Sequence, residues 1–368
     1  MKINFIIYNF WKDAASLLLA ARHRVKPKET SSSVFTYDYQ LLALKRHQNS
    51  SFMPGAYVFP GGTTESADAD LKWNKLFAAF GFDQNNFKSL IPNTNVRPPI
   101  FKKISNELPR EISLRITAIR ETFEECGILL CKRSTKVGFL KDWAENLTVT
   151  NRELEEWQNK VHNDPTEFYK LCEGLQCYPD LWSLHEWSNW LTPTNVGGKR
   201  FDTVFYLACL PEIPDAKYEE TEMEDLIWAN PKNLINSTSS VLLMPPQQYE
   251  LARLAKFESL DNLLEFAVDR SKMGVHLNFP VKVKLLDGTV FLLPGDSLYP
   301  KHVSFIEKNI LDKSTMTINE LRNDSTIKNR LEFYDLEIKK IIVHNHENID
   351  GHLSPLPVQT VRIKPSKL

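Results

Sequence analysis

The sequence predicts a mixed α/β (α+β) fold, and three observations carry that reading. β-Prone runs lie at 14–22 (AASLLLAAR) and 201–210 (FDTVFYLACL). A short apolar strand at 56–59 ends in a Pro-Gly-Gly turn. Apolar Ile112, Ile116, Ile119 and Phe123 recur four, three and four residues apart before Gly127. At 368 residues the chain exceeds an ordinary domain of about 100 to 200, so one large decorated domain or a domain with an extension is expected.

Taken in order, 14–22 and 36–46 (TYDYQLLALKR) flank the polar turn KPKETSSS and predict paired strands or a strand and a short helix. The spacing of Leu71, Leu76, Phe77 and Phe80 suits a helix stopped by Gly81, and 92–109 is Pro-rich and irregular, so about 69–109 is an insertion. A helix then runs from Pro109 to Gly127, with its charges on the face opposite the apolar stripe. Further helices are expected over 151–172 and 247–268, and a short strand at 226–229. Beyond them come short strands in VKVKLL, TVFLLP and KKIIVH. The expected organisation is a core domain over 8–270 and a C-terminal extension over 271–368.

Composition excludes several classes. A formal net charge of −1 gives no global attraction to nucleic acid or anionic membrane. The apolar runs FIIYNF and SLLLAA fall far short of the roughly 20 residues of a membrane span, and no secretory leader is expected. Five cysteines without a C-x-x-C pair fit a reducing compartment. His344, His346 and His352 lack partners for a zinc pattern and read as a solvated tail. Trp182, Trp187 and Trp190 read as core, with a stacking surface as the alternative.

The chemistry lies in RETFEECGI, residues 120–128. At about 100° per helical residue, Glu124 falls near −60° and Glu125 near +40° from Glu121, so three carboxylates share one face. Such a face suits a hard cation that bridges phosphate oxygens, Mg²⁺ or Mn²⁺.

The run R-E-x-x-E-E-x-G-I behind an upstream FPGG resembles the core of the Nudix box, which implies a Nudix α/β/α sandwich with a mixed sheet and diphosphate hydrolysis. Three departures stand out. Asp68 occupies the position of a Glu five residues beyond Gly62, about 44 extra residues separate it from Arg120, and Thr122 replaces an aliphatic residue. Glu65 keeps an acid near the loop. The resemblance implies that Glu121, Glu124 and Glu125 hold the cations with a carbonyl of the Gly61-Gly62 turn, with Glu121 a base in the alternative. It implies further that Arg120 orients a carboxylate, and that Glu222, or Glu224 beside it, adds an acid from a later loop.

LALKRHQNSSFMPGAYVFPGG resembles the segment preceding the box in coenzyme A diphosphatases, with Arg46 the candidate for substrate phosphate and Ser51-Phe52 at a position that is basic in that motif. Together with NWLTPTNVGGKRFDTVFYLACLP, MPPQQYELARL and FLLPGDSLYP, the pattern is similar to the peroxisomal Nudix motif 19 subfamily. That implies cleavage of coenzyme A and acyl-coenzyme A to adenosine 3′,5′-bisphosphate and a 4′-phosphopantetheine product. Alternatives are another diphosphate (an RNA cap, ADP-ribose or NADH) or a non-catalytic module; RNA is disfavoured because no basic stripe is evident. Ser366, Lys367 and Leu368 read as an address for the peroxisomal import receptor, hence residence in the peroxisome matrix.

Overall fold

The computed structural model describes residues 11–23, 37–133, 142–236, 242–334 and 337–359. The turn KPKETSSS, the N-terminal FIIYNF run and the Ser366-Lys367-Leu368 tail lie outside the described residues.

The central sheet begins with β1 (Lys12–Arg22), β2 (Tyr39–Arg46), β3 (Ala56–Val58) and β4 (Gly61–Thr63). Of the two forms expected for 14–46, the paired strands are found: β1 and β2 run antiparallel, with Ala20 opposite Leu41. The insertion folds as α1 (Trp73–Ala79) and α2 (Gln84–Lys88) before α3 (Arg110–Cys126). Then come β5 (Cys131–Lys132), α4 (Asn151–Asn163), α5 (Glu167–Gly174), β6 (Tyr178–Pro179), β7 (His185–Leu191), β8 (Phe201–Leu210) and β9 (Met223–Ala229). The layer closes with α6 (Pro231–Asn236), β10 (Leu242–Leu243), α7 (Pro245–Leu254), α8 (Leu260–Ser271) and β11 (Leu277–Asn278).

The strand order is β10-β3-β2-β1-β8-β7-β11, with β4 also on β1 and β9 also on β2. β1 runs parallel to β8 from Lys12 opposite Phe201 to Ala21 opposite Leu210. A central parallel strand covered on both faces has no polar side, which explains the unbroken apolar run SLLLAA. Alternate residues of β1 enter opposite cores: Leu17 and Leu19 join α3 and the insertion, while Leu18 and Ala20 join α7 and α8. This is the expected α/β/α sandwich.

Several expectations need correction. The charged residues of α3 do not form a solvated face, because 15 of its 17 residues are buried. The insertion covers part of it: Arg110 donates to the Ile100 carbonyl at 3.0 Å and pairs with Asp13 at 2.6 Å. In α1 it is Trp73 rather than Leu71 that is buried, and Trp73 packs on Phe168 and Tyr169 of α5. The expected helix over 151–172 breaks at Asp164-Pro165, where proline removes a donor, and that over 247–268 breaks between Ala255 and Ser259.

The C-terminal part is more than scattered strands. β12 (Val281–Leu285), β13 (Thr289–Leu292), β14 (Ile310–Lys313), α9 (Ile318–Asn323), β15 (Lys328–Tyr334), β16 (Glu337–His344) and β17 (Val358–Gln359) include six strands in the order β14-β12-β13-β15-β16-β17. Leu293, Leu331 and Ile341 enter the same core as Trp187, Trp190 and Tyr249. The indole N–H groups of Trp187 and Trp190 both donate to the buried Glu250, at 2.8 and 2.7 Å. His352 is no solvated tail, since its ring lies 4.4 Å from that of Trp187, edge to face. All five cysteines are free and buried, and the sulfurs of Cys131, Cys172 and Cys177 lie within 4.8 Å of one another. No helix among the described residues is long and apolar enough to cross a membrane.

Candidate active site

The Gly61-Gly62 turn is held against β1, with Gly61 opposite Ser16 and Gly62 opposite Ala15. Gly61 sits at φ +149°, and a Cβ there would collide with the Ala15 carbonyl. A Cβ on Gly62 would lie 2.5 Å from the carboxylate of Glu121. Two glycines are therefore what lets this backbone reach the face of α3. The Gly61 amide donates to Glu125 Oε2 at 2.9 Å, which ties the turn to the helix.

α3 is stopped by Gly127 in the left-handed region, at φ +70°, so the three glutamates occupy its last turns. Arg120 organises them from within the core, only 1% exposed. Its Nη1 donates to Glu124 Oε1 at 2.6 Å and lies 3.0 Å from Glu121 Oε1. Its Nε and Nη2 grip Asp68 at 2.8 and 2.9 Å, and Nη2 also donates to the Thr63 carbonyl. Asp68 accepts further from Thr117 Oγ1 at 2.8 Å and the Glu65 amide at 3.0 Å. Charge-assisted, paired bonds of this kind fix an arginine more firmly than a single contact does.

The carboxylates strain against one another. Burial pushes Glu121 up to about 8, with Arg120 pulling it down and Glu124 and Asp68 pushing it up. Burial and the Glu121 charge raise Glu125 well above the ordinary range, and burial raises Glu124 against the pull of Arg120. A divalent cation would relieve this repulsion, and oxygen donors of this kind on one helix face fit a hard ion. The residues present thus fit the metal implied by the Nudix resemblance.

Above the glutamates opens a cavity of about 580 Å³. Glu65, Glu121, Glu124, Glu125 and Glu222 line it, together with Arg46, Gly61 and Gly62. Glu222 faces the cavity, whereas Glu224 is occupied elsewhere, 2.5 Å from Lys45 Nζ and bonded to Gln48. Of the two acids offered by EETEMEDLIW, only Glu222 reaches the site. Arg46 is held by its own turn, with Nε donating to Ser50 Oγ and to the Phe52 carbonyl at 3.2 and 3.0 Å. The apolar wall includes Phe59, Trp190, Phe201 and Phe205, and Phe291 and Leu331 of the C-terminal sheet complete it. Of Trp182, Trp187 and Trp190, Trp190 alone lines the cavity, and it is also part of the core.

In the sequence Asp68 stands out only as a departure from the pattern. Its spacing from Gly62 is the signal for its role, since it stands where an acid is due. His162 and Lys199 also line the cavity and carry no motif.

The family model described as the NUDT19 Nudix domain matches residues 11–254, and that described as the NUDT19 C-terminal domain matches 283–344. The acyl-coenzyme A diphosphatase NUDT19 of Gallus gallus is 36% identical over 365 residues, covering 95% of this chain and 96% of that one. The same-named proteins of Xenopus laevis and Homo sapiens are 35% and 34% identical, covering 95% and 94% of this chain and 97% and 92% of theirs. Among solved structures, a NUDIX hydrolase from Alicyclobacillus acidocaldarius is similar at 18% identity and a TM-score of 0.49, covering 69% of this chain and 96% of that one.

Proposed function

Because this chain belongs to the NUDT19 family of Nudix hydrolases, we propose that it hydrolyses the diphosphate bond of coenzyme A and acyl-coenzyme A. The products are adenosine 3′,5′-bisphosphate and (acyl-)4′-phosphopantetheine. The observation that carries the substrate is likeness over nearly the whole chain to relatives named acyl-coenzyme A diphosphatase. The cavity supports it: an acidic wall for a metal-bound diphosphate adjoins an apolar wall suited to pantetheine, adenine or acyl carbon.

Glu121, Glu124, Glu125 and the Gly62 carbonyl would hold Mg²⁺ or Mn²⁺, which when bound neutralises diphosphate oxygens and makes water acidic enough to attack at neutral pH. Arg120 keeps Glu121 and Glu124 aimed by bonding both through one nitrogen, so its two other nitrogens remain on Asp68. The Gly61 amide keeps Glu125 in line. Glu222, exposed on the cavity wall, accepts the proton of the attacking water, and Glu121 would take that role only if it were not holding the ion. One P–O bond forms as the bridging P–O bond breaks, and the bridging oxygen leaves with its phosphate.

The Ser366-Lys367-Leu368 tail is proposed to be a receptor-read peroxisomal address, which would bring the enzyme to an acyl-coenzyme A pool.

A panel of diphosphates with Mg²⁺ tests the reading. Coenzyme A and its thioesters are expected to exceed ADP-ribose, NADH and capped RNA by at least about tenfold in kcat/KM. Equal or better rates on ADP-ribose or capped RNA overturn the coenzyme A reading and leave a Nudix hydrolase of other preference.

A further inference from the structure

Two cations on the cavity wall make no ion pair within 4.0 Å among the described residues, although the charge of one of them, Arg46, acts on Glu125. The guanidinium of Arg120 is saturated by Asp68, Glu121 and Glu124. Arg46 and Lys199 also line the cavity, and neither makes an ion pair there. They come from separate segments, the end of β2 and the connection between β7 and β8. Two contacts bring these segments together. Lys199 Nζ donates to Ser51 Oγ at 3.3 Å, and the Phe52 ring meets Phe201 edge to face at 4.9 Å. Ser50 and the Phe52 carbonyl hold Arg46 Nε, while Nη1 takes no acceptor among the described residues.

Cations gathered on a wall that also carries five glutamates call for an anion on the ligand. A cation-bound diphosphate has its charge met at the glutamates, and a terminal phosphomonoester carries about −1.5 to −2 more at pH 7. We propose that Arg46, Lys199 and the Ser51 hydroxyl form a second anion subsite that binds a terminal phosphomonoester of the substrate, apart from the scissile diphosphate. The inference rests on the coenzyme A reading, in which that group is the 3′-phosphate. It also accounts for Ser51-Phe52 at a motif position that is otherwise basic: the charge reaches the same place from Lys199, about 150 residues later.

The test compares coenzyme A with 3′-dephospho-coenzyme A, which lacks only that phosphate, as kcat/KM ratios at fixed Mg²⁺ and moderate salt. The wild-type chain is expected to prefer coenzyme A by about tenfold or more, the worth of one charge-assisted contact. Lys199→Ala is expected to reduce that preference about tenfold, and Lys199→Arg to restore it. Raised salt narrows the wild-type preference, because the pair faces solvent. A wild-type ratio near one, or a Lys199→Ala variant that lowers both substrates alike, overturns the subsite and leaves the coenzyme A reading standing. Failure to cut either compound while other diphosphates are cut overturns that reading and the subsite with it.

Discussion

Arg120 and Asp68 are 52 positions apart in sequence, yet they meet in a two-pronged contact, Nε to Oδ1 at 2.8 Å and Nη2 to Oδ2 at 2.9 Å. The insertion between them is therefore looped out of the site, and its ends are tied by this pair. Asp68→Ala leaves a buried guanidinium with part of its charge unmet, a change that costs about 3 kcal/mol. The expected result is a melting temperature several degrees lower and turnover reduced at least about tenfold; an unaltered melting curve would deny the pair its structural role.

Glu125→Gln separates chemistry from stability. The amide oxygen can still accept from Gly61, and the repulsion with Glu121 disappears, so thermal stability is expected to hold or rise. Turnover is expected to fall about a hundredfold or more, because the proposed ligand for the cation is lost. Near-normal kcat in this variant would remove Glu125 from the metal site.

Gly62→Ala tests the close approach of turn and helix. Its Cβ would press on the Glu121 carboxylate, the movable end of a side chain, so the protein folds but the carboxylate is displaced. A raised Mg²⁺ requirement and at least a tenfold drop in kcat/KM are expected. Wild-type Mg²⁺ dependence would show that the glycine is needed only for the turn.

Much of this site was legible in sequence because a helix repeats regularly. Glu121, Glu124 and Glu125 are placed by counting residues, and FPGG marks a turn without side chains at the two positions closest to them. Asp68 was harder to read, since its partner follows a long insertion and the acid is one carbon shorter than the pattern asks. Lys199 lies in a polar connection where no periodicity operates. The burial of Arg110 and Arg115 was hidden for another reason: helix amphipathicity assumes water on the polar side, and here the insertion and neighbouring elements lie there. The C-terminal sheet was undercounted because its strands are short and alternate weakly, and their partners are set by long-range register.

His185 gives a pH dependence of stability. Burial, opposed by the Asp142 carbonyl and charge, depresses it to about 4 from the usual 6.5. The unfolded chain then binds a proton that the folded one refuses between these values, so the contribution of His185 to stability is complete above about pH 6.5 and declines as pH falls toward 4. The slope approaches about 1.4 kcal/mol per pH unit for one such group. His352, depressed in the same direction by burial and by Arg253 and Arg270, adds to it. Glu121 and Asp202, held at about 8 and about 7 by burial, gain stability over the same range, so the His185 contribution is read as a difference: from pH 7 to pH 5, chemical denaturation should show His185→Gln gaining stability relative to the wild type, and an identical pH response in the two would remove His185 from the effect.

Deleting Ser366 to Leu368 is expected to leave the purified enzyme active and to spread it through the cytosol in cells. Peroxisomal residence after the deletion would point to another signal.

Phe291 and Leu331 close the substrate cavity from a sheet made late in the chain, and Leu331 and Ile341 complete a core begun at Leu18. During synthesis the glutamates and their arginine emerge long before that wall exists. A product ending near residue 270 is therefore an unfinished vessel rather than a smaller hydrolase, with Trp187, Trp190 and Tyr249 stripped of their cover. A chain stopped before the last strands is therefore expected to be inactive and to aggregate more readily than the full chain, its aromatic residues lacking the cover of Leu331 and Ile341.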